Sequence, residues 1–294
     1  MKLYQTTSVC AILIEVRVCF GKIYKTMKLL SGKELSGFIK ERQAHSVRSF
    51  VQSTKIVPKL AIIKTIDNPV IDLYVSLKQK YAGDIGIKVD LYRSDQDEIP
   101  KLLEKLNNDP TVHGIIIQLP LDKPEHTEEL VNLVRPDKDV DALGDQAKFD
   151  PATPMAILWL LSGYNIDLLG KKVVLIGRGK LVGRPLEKIL TNSGVDVVSA
   201  DSSTLDIPAL TKEADIIITA TGSPAILTSE MVKPNAVVVD AGVASEDGKT
   251  VGDVAEDLFE RQDITITPKK GGVGPLTICA LFENVIISAG QKRN

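Results

Sequence analysis

Tyr74 and Lys78 stand four residues apart in VIDLYVSLKQKYAGDIG (70–86), where apolar spacing predicts a helix that stops near Gly83–Gly86. Residues at i and i+4 share a helix face, so the phenol and the amine are neighbours. A lysine held in apolar surroundings loses part of the stabilisation of its charge, and its pKa falls. It can then take up and release protons near neutral pH, while the adjacent hydroxyl holds it in place. Taken alone, Y-x-x-x-K also describes a solvated surface pair. Short-chain dehydrogenases use the same spacing, but downstream of their glycine turn. Here it lies upstream of the glycine turn, in the other half of the chain, which argues against that class.

Two further polar positions fall where α/β proteins bind ligands, at the carboxyl ends of strands. Gln118 closes the apolar run HGIII (113–117), and Asp141 ends the loop KDVD (138–141). Each also has a bland reading, as a strand cap and a loop cap. Lys269-Lys270-Gly271-Gly272-Val273-Gly274-Pro275 sits between a strand and the last helix, a composition suited to close backbone approach of a ligand or to a flexible turn.

The strongest local signal is the strand KKVVLIG (171–177) running into Gly177-Arg178-Gly179-Lys180-Leu181-Val182-Gly183-Arg184-Pro185 and then a helix. A strand, a glycine-rich turn and a helix N-terminus together make a phosphate cradle, with N–H donors and the positive dipole end aimed at the anion. The spacing G-x-G-x-x-x-G is one residue longer than the usual dinucleotide fingerprint. Arg178 favours a 2′-phosphate, and hence NADP. Asp201, at the end of the next strand beside Ser202, favours a ribose 2′-hydroxyl, and hence NAD. The two signals oppose each other.

The elements that must position these residues alternate. Helical spacing over 30–51 is followed by strand KLAIIK (59–64), helix 70–86, strand IKVDLY (87–92) and a helix over 97–107 with Asp97 and Glu98 in its first turn. Strand 113–120 and a helix over 125–134 complete a βαβαβα series that predicts a parallel sheet. The stretch 135–154 breaks the rhythm with prolines and aspartates and reads as a crossover and functional loop. Strands follow at 171–177, 196–201, 214–221, 235–242 and 264–268, and an apolar helix over 275–290 closes the chain. The expected domains are 27–150, completed by 275–291, and 151–274. Residues 1–26 read as an upstream extension, disordered or arising from a mis-assigned start, since Met27 begins a natural domain start.

Composition excludes whole classes. The chain has 294 residues, 44% hydrophobic and 25% charged, which rules out intrinsic disorder. Its net charge of −2 and 4% aromatics give no bulk pull toward nucleic acid and no base-stacking surface. Three cysteines and three scattered histidines suggest neither a disulfide framework nor a metal site. The apolar run at 8–20 is broken by Glu15 and Arg17, which argues against a membrane span. A reduced, cytoplasmic protein with no membrane partner is expected.

Taken in order, the words DNP (67–69), YVSLKQK (74–80), QLPL (118–121), PDKDVD (136–141), TP (153–154), GRGKLVGRP (177–185), ADIIITATG (214–222), VVVDAG (237–242), GD (252–253) and GGVGPLT (271–277) resemble the bifunctional methylenetetrahydrofolate dehydrogenase/cyclohydrolase family. The resemblance covers about residues 28–291. It implies two α/β domains around a cleft, the second a Rossmann-like NADP-binding domain, in a homodimer. It implies oxidation of 5,10-methylenetetrahydrofolate with NADP and hydrolysis of the methenyl product to 10-formyltetrahydrofolate, steps of one-carbon metabolism that serve purine biosynthesis.

Position by position, the resemblance makes Lys78 the general acid/base, Tyr74 its orienting partner and a folate contact, Gln118 the group that tunes Lys78, and Asp141 the anchor of the pterin ring. Ile117, Leu119, Gly271, Gly272, Pro275 and Thr277 would border the folate. Gly177, Arg178, Gly179, Val182, Gly183, Asp201, Ser202, Thr221, Gly222 and Val243 would hold the dinucleotide. The chain departs from the family pattern at Ile71, where a serine is usual, at Ala142 and Gly179, at Asp201, and at Lys269-Lys270. The loop before Thr153 is also shorter. Three competing readings are a monofunctional methylenetetrahydrofolate dehydrogenase, a shikimate-dehydrogenase-like enzyme, and a non-catalytic nucleotide- or folate-binding protein.

Overall fold

The computed structural model describes residues 29–246 and 249–291, so the extension expected over 1–26 lies outside the described residues. The chain divides into two compact units, Gly37–Ala152 with Ile278–Asn294, and Met1–Ser36 with Thr153–Thr277.

In the first of these units, α1 (Gly32–Thr54, from Gly37 onward) precedes β1 (Lys59–Lys64), α2 (Pro69–Ile85), β2 (Lys88–Arg93), α3 (Ile99–Asn108), β3 (Gly114–Ile117) and the short α4 (Thr127–Val131). The three strands form a parallel sheet in the order β2-β1-β3, with Leu60 paired to Val89 on one side and Gly114 on the other. A bridge from Ile115 to Asp139 brings the 136–141 loop to the open edge of β3. The observed β1 matches its expected span. α2 starts where Asn68 accepts hydrogen bonds from the Val70 and Ile71 N–H groups and Pro69 occupies the first turn. It stops at Gly86, whose φ of 84° is accessible to glycine at little cost. The core gathers Ile63, Leu103, Leu106, Ile115, Ile117 and Leu130.

Two expectations shift. The helix read over 97–107 is a 3-10 turn at Gln96–Glu98 followed by α3 from Ile99, and the helix read over 125–134 is helical only at Thr127–Val131 after a second 3-10 turn. The cause is long-range: the Gln96 side chain accepts from the Lys123 N–H at 2.8 Å and donates to the Lys123 carbonyl at 3.0 Å. That clamp fixes both loops and postpones both helices.

Residues 278–290 of α8 (Val273–Gly290) also belong to this unit. By length and composition α8 could cross a membrane, yet half of it is buried in the fold. Cys279, Phe282 and Val285 are fully enclosed, and the Asn284 amide donates to the Val140 and Asp150 carbonyls at 2.9 and 3.0 Å. Those are the contacts of a core helix that pins the 136–150 loop.

The other unit carries α5 (Ala152–Gly163, from Thr153), β4 (Val173–Ile176), α6 (Gly183–Asn192), β5 (Val197–Ala200), α7 (Ile207–Glu213), β6 (Ile216–Thr219), β7 (Val237–Asp240) and β10 (Thr265–Ile266). Its sheet is parallel in the order β10-β7-β6-β4-β5. The chain leaves β4 toward β5 and returns to β6 on the opposite side, so the strand order reverses at β4. Crevices at such reversals, beyond the carboxyl ends of the strands, are where open α/β sheets bind ligands. A two-stranded hairpin, β8 (Ala244–Glu246) with β9 (Lys249–Val251), has no counterpart among the strands expected from sequence.

Candidate active site

In the Gly37–Ala152 unit, the Gln118 N–H donates to the Ile63 carbonyl at 2.8 Å, continuing the ladder one step past β3. That sets its side chain at the carboxyl end of the sheet. Gln118 Nε2 donates to the Leu119 carbonyl at 2.9 Å, which turns Oε1 outward. The amine of Lys78, one turn along α2 from the exposed Tyr74, donates to that Oε1 at 2.7 Å. The expected grouping of Lys78 with Gln118 is thus formed across forty residues of sequence. Ile117 lies buried beneath it, and Leu119 is half-buried beside it.

Burial holds the Lys78 pKa below the ordinary lysine value, and the Asp141 carboxylate pulls it partly back up. Asp141 shows the mirror image: burial raises its carboxyl, and the Lys78 charge pulls it down. A neutral amide is the hydrogen-bond partner of the amine, and its charge partner is itself reluctant to ionise. Lys78 is therefore poised to exchange a proton, as a general acid or base requires.

The loop that carries Asp141 is held by residues that sequence reasoning left without a role. Buried Asp139 accepts from the Gly144 N–H at 2.8 Å, and burial pushes its carboxyl up to about 6. The enclosed Lys138 donates to the Leu106 and Asp109 carbonyls at 2.8 and 2.7 Å, capping the end of α3 with a cation. A lysine between two aspartates (137–139) after Pro136 was the available signal. Ala142, next to Asp141, takes φ 56°, a region that favours glycine. A residue with a Cβ in that region stores strain beside the site.

In the other unit, the residues expected to hold a dinucleotide all fall at the carboxyl ends of four neighbouring strands. Gly177–Gly183 follow β4, Asp201 and Ser202 follow β5, Thr221 and Gly222 follow β6, and Val243 follows β7. Gly177 has φ 109°, and a Cβ there would lie 2.5 Å from the Ala220 carbonyl oxygen. A Cβ on Gly183 would lie 2.0 Å from the Gly177 carbonyl oxygen. Gly179, by contrast, faces open space: a Cβ there would have nothing within 4 Å. The turn is folded tightly on itself and open at its tip, with the N-terminus of α6 behind it. These residues fit a dinucleotide pyrophosphate.

The opposed cofactor signals are also placed. Asp201 Oδ1 accepts from the Ser203 N–H at 2.9 Å and the Ser203 hydroxyl at 2.6 Å, so that oxygen is occupied within its own turn. Those bonds, with the Arg178 and Arg184 charges, hold its carboxyl below the usual range. Arg178 leans on Glu187 through contacts of 3.3 and 3.4 Å, long and exposed enough to be exchanged for a phosphate.

The GGVGP segment begins in this unit. Gly271 has φ 81°, and Gly272 packs against Gly32 so closely that a Cβ on Gly32 would overlap the Gly272 carbonyl. Pro275 and Thr277 lie in the first turns of α8, where Thr277 Oγ1 is 3.5 Å from the Thr153 hydroxyl. Lys269 pairs with Glu256 and sits 4.9 Å above the Phe259 ring.

The family profile described as tetrahydrofolate dehydrogenase/cyclohydrolase, catalytic domain, matches residues 30–141, and that of the NAD(P)-binding domain matches residues 151–293. The "Bifunctional protein FolD" of Campylobacter jejuni is 40% identical over 285 residues, covering 91% of this chain and 100% of the relative. The crystal structure of the Campylobacter jejuni bifunctional methylenetetrahydrofolate dehydrogenase/cyclohydrolase is 39% identical with a TM-score of 0.83, over 89% of this chain and 98% of that one. The Trypanosoma brucei dehydrogenase–cyclohydrolase, complexed with NADP cofactor and inhibitor, is 27% identical with a TM-score of 0.83, over 89% and 96%. The chain belongs to the tetrahydrofolate dehydrogenase/cyclohydrolase family.

Proposed function

We propose that this chain oxidises 5,10-methylenetetrahydrofolate with NADP and hydrolyses the resulting methenyl compound to 10-formyltetrahydrofolate, using Lys78 as the proton-transfer group. The observation that carries the reading is the Lys78–Gln118 contact of 2.7 Å with Asp141 as the charge partner, in a unit separate from an open-tipped glycine turn. Dehydrogenation needs orientation more than acid–base help, because NADP, when bound, supplies the hydride acceptor. Hydrolysis needs a positioned water and a base, because the methenyl carbon is already electrophilic. In its unprotonated form, which burial favours, Lys78 takes the proton of the attacking water, and Gln118 holds the amine by a neutral hydrogen bond. Tyr74 offers an exposed ring one turn away for stacking against the folate. Asp141, kept partly ionised by the Lys78 charge against its burial, can accept from the N–H groups of a pterin.

Gly177, Gly179, Val182 and Gly183 would hold the pyrophosphate. Arg178, released from Glu187, would pair with a 2′-phosphate. The Arg178 and Arg184 charges beside Asp201 support NADP over NAD. Gly271, Gly272, Pro275 and Thr277 would complete the folate contacts. The resemblance supports a homodimer, domains at 27–150 (completed by 275–291) and 151–274, and a cytoplasmic location in one-carbon metabolism that serves purine synthesis.

A spectrophotometric assay with 5,10-methylenetetrahydrofolate, run in parallel with NADP and NAD, tests the reading. Reduced cofactor with 10-formyltetrahydrofolate as product is the expected result, faster with NADP. Accumulation of methenyltetrahydrofolate would mean a monofunctional dehydrogenase, and no turnover of any folate would overturn the assignment.

A further inference from the structure

Two aspartates of the Thr153–Thr277 unit are built into the fold with unusual closeness. Asp240, at the end of β7, accepts through Oδ1 from the Gly242 N–H at 2.9 Å, the Asp253 N–H at 3.2 Å and the Thr219 hydroxyl at 3.2 Å, and through Oδ2 from the Val254 N–H at 3.2 Å. Asp253 is fully buried and accepts from the Thr221 N–H at 2.7 Å and the Ser223 N–H at 3.0 Å, one on each oxygen. The glycines beside them leave room for these carboxylates. A Cβ on Gly242 would lie 2.0 Å from Asp253 Cγ, and a Cβ on Gly252 would lie 2.0 Å from Asp240 Oδ2. The words VVVDAG and GD are therefore one interlocked device, although they stand apart in sequence.

What the device holds is specific. Asp253 fixes the peptides of the loop Thr221-Gly222-Ser223 after β6. That loop is one wall of the glycine turn, since a Cβ on Gly177 would meet the Ala220 oxygen at 2.5 Å and the Thr221 methyl at 3.1 Å. Its next residue, Gly222, lies so close to the loop after β7 that a Cβ there would be 3.3 Å from the Val243 carbonyl oxygen. Asp240 fixes that second loop through the Gly242 N–H. Backbone N–H groups bound to carboxylates by strong, charge-assisted hydrogen bonds do not rotate freely. The loop beside the turn and the loop next to it thus take their geometry from the buried Asp253 and the half-buried Asp240.

We infer that Asp240 and Asp253 are positioning residues of the dehydrogenase reaction, which set the loops 220–223 and 241–243 that receive the dinucleotide. This rests on the function proposed above. Neither aspartate serves the hydrolysis, whose proton-transfer group lies in the other unit.

The test is Asp253→Asn in the full-length protein, which keeps the shape but turns an N–H donor toward a peptide N–H. Misplaced reacting groups cost heavily in rate, so the dehydrogenase kcat is expected to fall by about tenfold or more and NADPH binding, read by fluorescence titration, to weaken by about tenfold. Cyclohydrolase activity on added methenyltetrahydrofolate, assayed without dinucleotide, is expected to stay within about twofold. Unchanged NADPH affinity and dehydrogenase kcat would overturn the inference, as would a parallel fall of both activities. Should Asp253→Asn not fold, Thr219→Val decides. It removes only the hydroxyl donor to Asp240, and is expected to give a smaller loss, about two- to fivefold, confined to the dehydrogenase and NADPH binding. Equal loss of both activities, or none, would again contradict the role. If the wild-type protein turns over no folate, the proposed function fails while the NADPH titrations still decide this inference.

Discussion

Lys78 in one unit and Asp253 in the other are both withdrawn from water, yet their surroundings differ in kind. Lys78 donates to a single neutral amide oxygen and faces a carboxyl that burial has itself made reluctant to ionise. Asp253 has a backbone N–H on each of its oxygens. Burial of a charge is costly unless hydrogen bonds replace the lost water. Where they do, the group becomes a structural fixture. Where they do so only in part, its pKa moves and it can do proton chemistry. In the loop 138–144, burial outweighs such bonds at Asp139. Lys138 is enclosed between two carbonyls at the end of α3, while Asp139 receives N–H groups and still titrates well above its ordinary value.

The largest test of this contrast removes the under-satisfied amine. Lys78→Met is expected to lower hydrolysis of methenyltetrahydrofolate by ~10²–10⁴-fold, the usual worth of a general acid or base, while part of the dehydrogenase activity survives. Unchanged hydrolysis would refute the role.

Next comes a pH effect in the loop that carries Asp141. The Asp139 carboxyl titrates at about 6 when folded against an ordinary 3.8, so the folded state binds the proton more tightly than the unfolded one. Stability contributed by this group is therefore present at acid pH and falls as pH rises through the window between those values. The loss amounts to as much as about 3 kcal/mol above it. Asp139→Asn should flatten that slope in denaturant titrations at pH 4, 5, 6 and 7, and a slope that persists unchanged would contradict the assignment.

On the dinucleotide side, Gly183→Ala is expected to weaken NADPH binding by about tenfold or more, since overpacking a rigid backbone contact costs ~1–3 kcal/mol. Cyclohydrolase activity reports whether the rest of the protein stays intact. A subtler change is Asp141→Asn. The Asp141 charge holds the Lys78 pKa up, so its removal should move the acid limb of the hydrolysis profile to lower pH, alongside a higher KM for folate. A shift to higher pH would show that the two groups do not interact as described.

The smallest effect expected is at Ala142. Its φ of 56° is strained for a residue with a Cβ, so Ala142→Gly should raise thermal stability by up to ~1 kcal/mol, net of the added freedom of the unfolded chain. A loss of stability would mean that the loop gains more from the methyl group than the strain costs.

Much of this architecture was readable from local sequence. The span of β1 followed from an apolar run bounded by polar residues, and α2 from apolar spacing over 70–86 with glycines at its end, while its Asn68 cap and Pro69 first turn emerged only in the structure. The glycine turn was recognisable because strand, turn and helix are contiguous. Lys78 and Tyr74 were legible as a helical pair, and Gln118 as a polar residue at a strand end, but the meeting of Lys78 with Gln118 depends on how α2 packs on the sheet. The Asp240–Asp253 device left only a trace, two Asp-Gly neighbourhoods, because all its bonds but the one from the Gly242 N–H join residues 13 or more positions apart. The late starts of α3 and α4 were hidden for the same reason: a side-chain clamp between Gln96 and Lys123 decided them, and periodicity does not register such a clamp.

Lys78 is a lysine kept from full charge stabilisation, and its titration can be read directly. Heteronuclear NMR of protein carrying carbon-13 at the lysine ε position, with Lys78→Met to assign the resonance, gives its titration midpoint. The account predicts a midpoint below the ordinary 10.5, moving lower still in Asp141→Asn. A Lys78 that titrates at or above the ordinary value would contradict it.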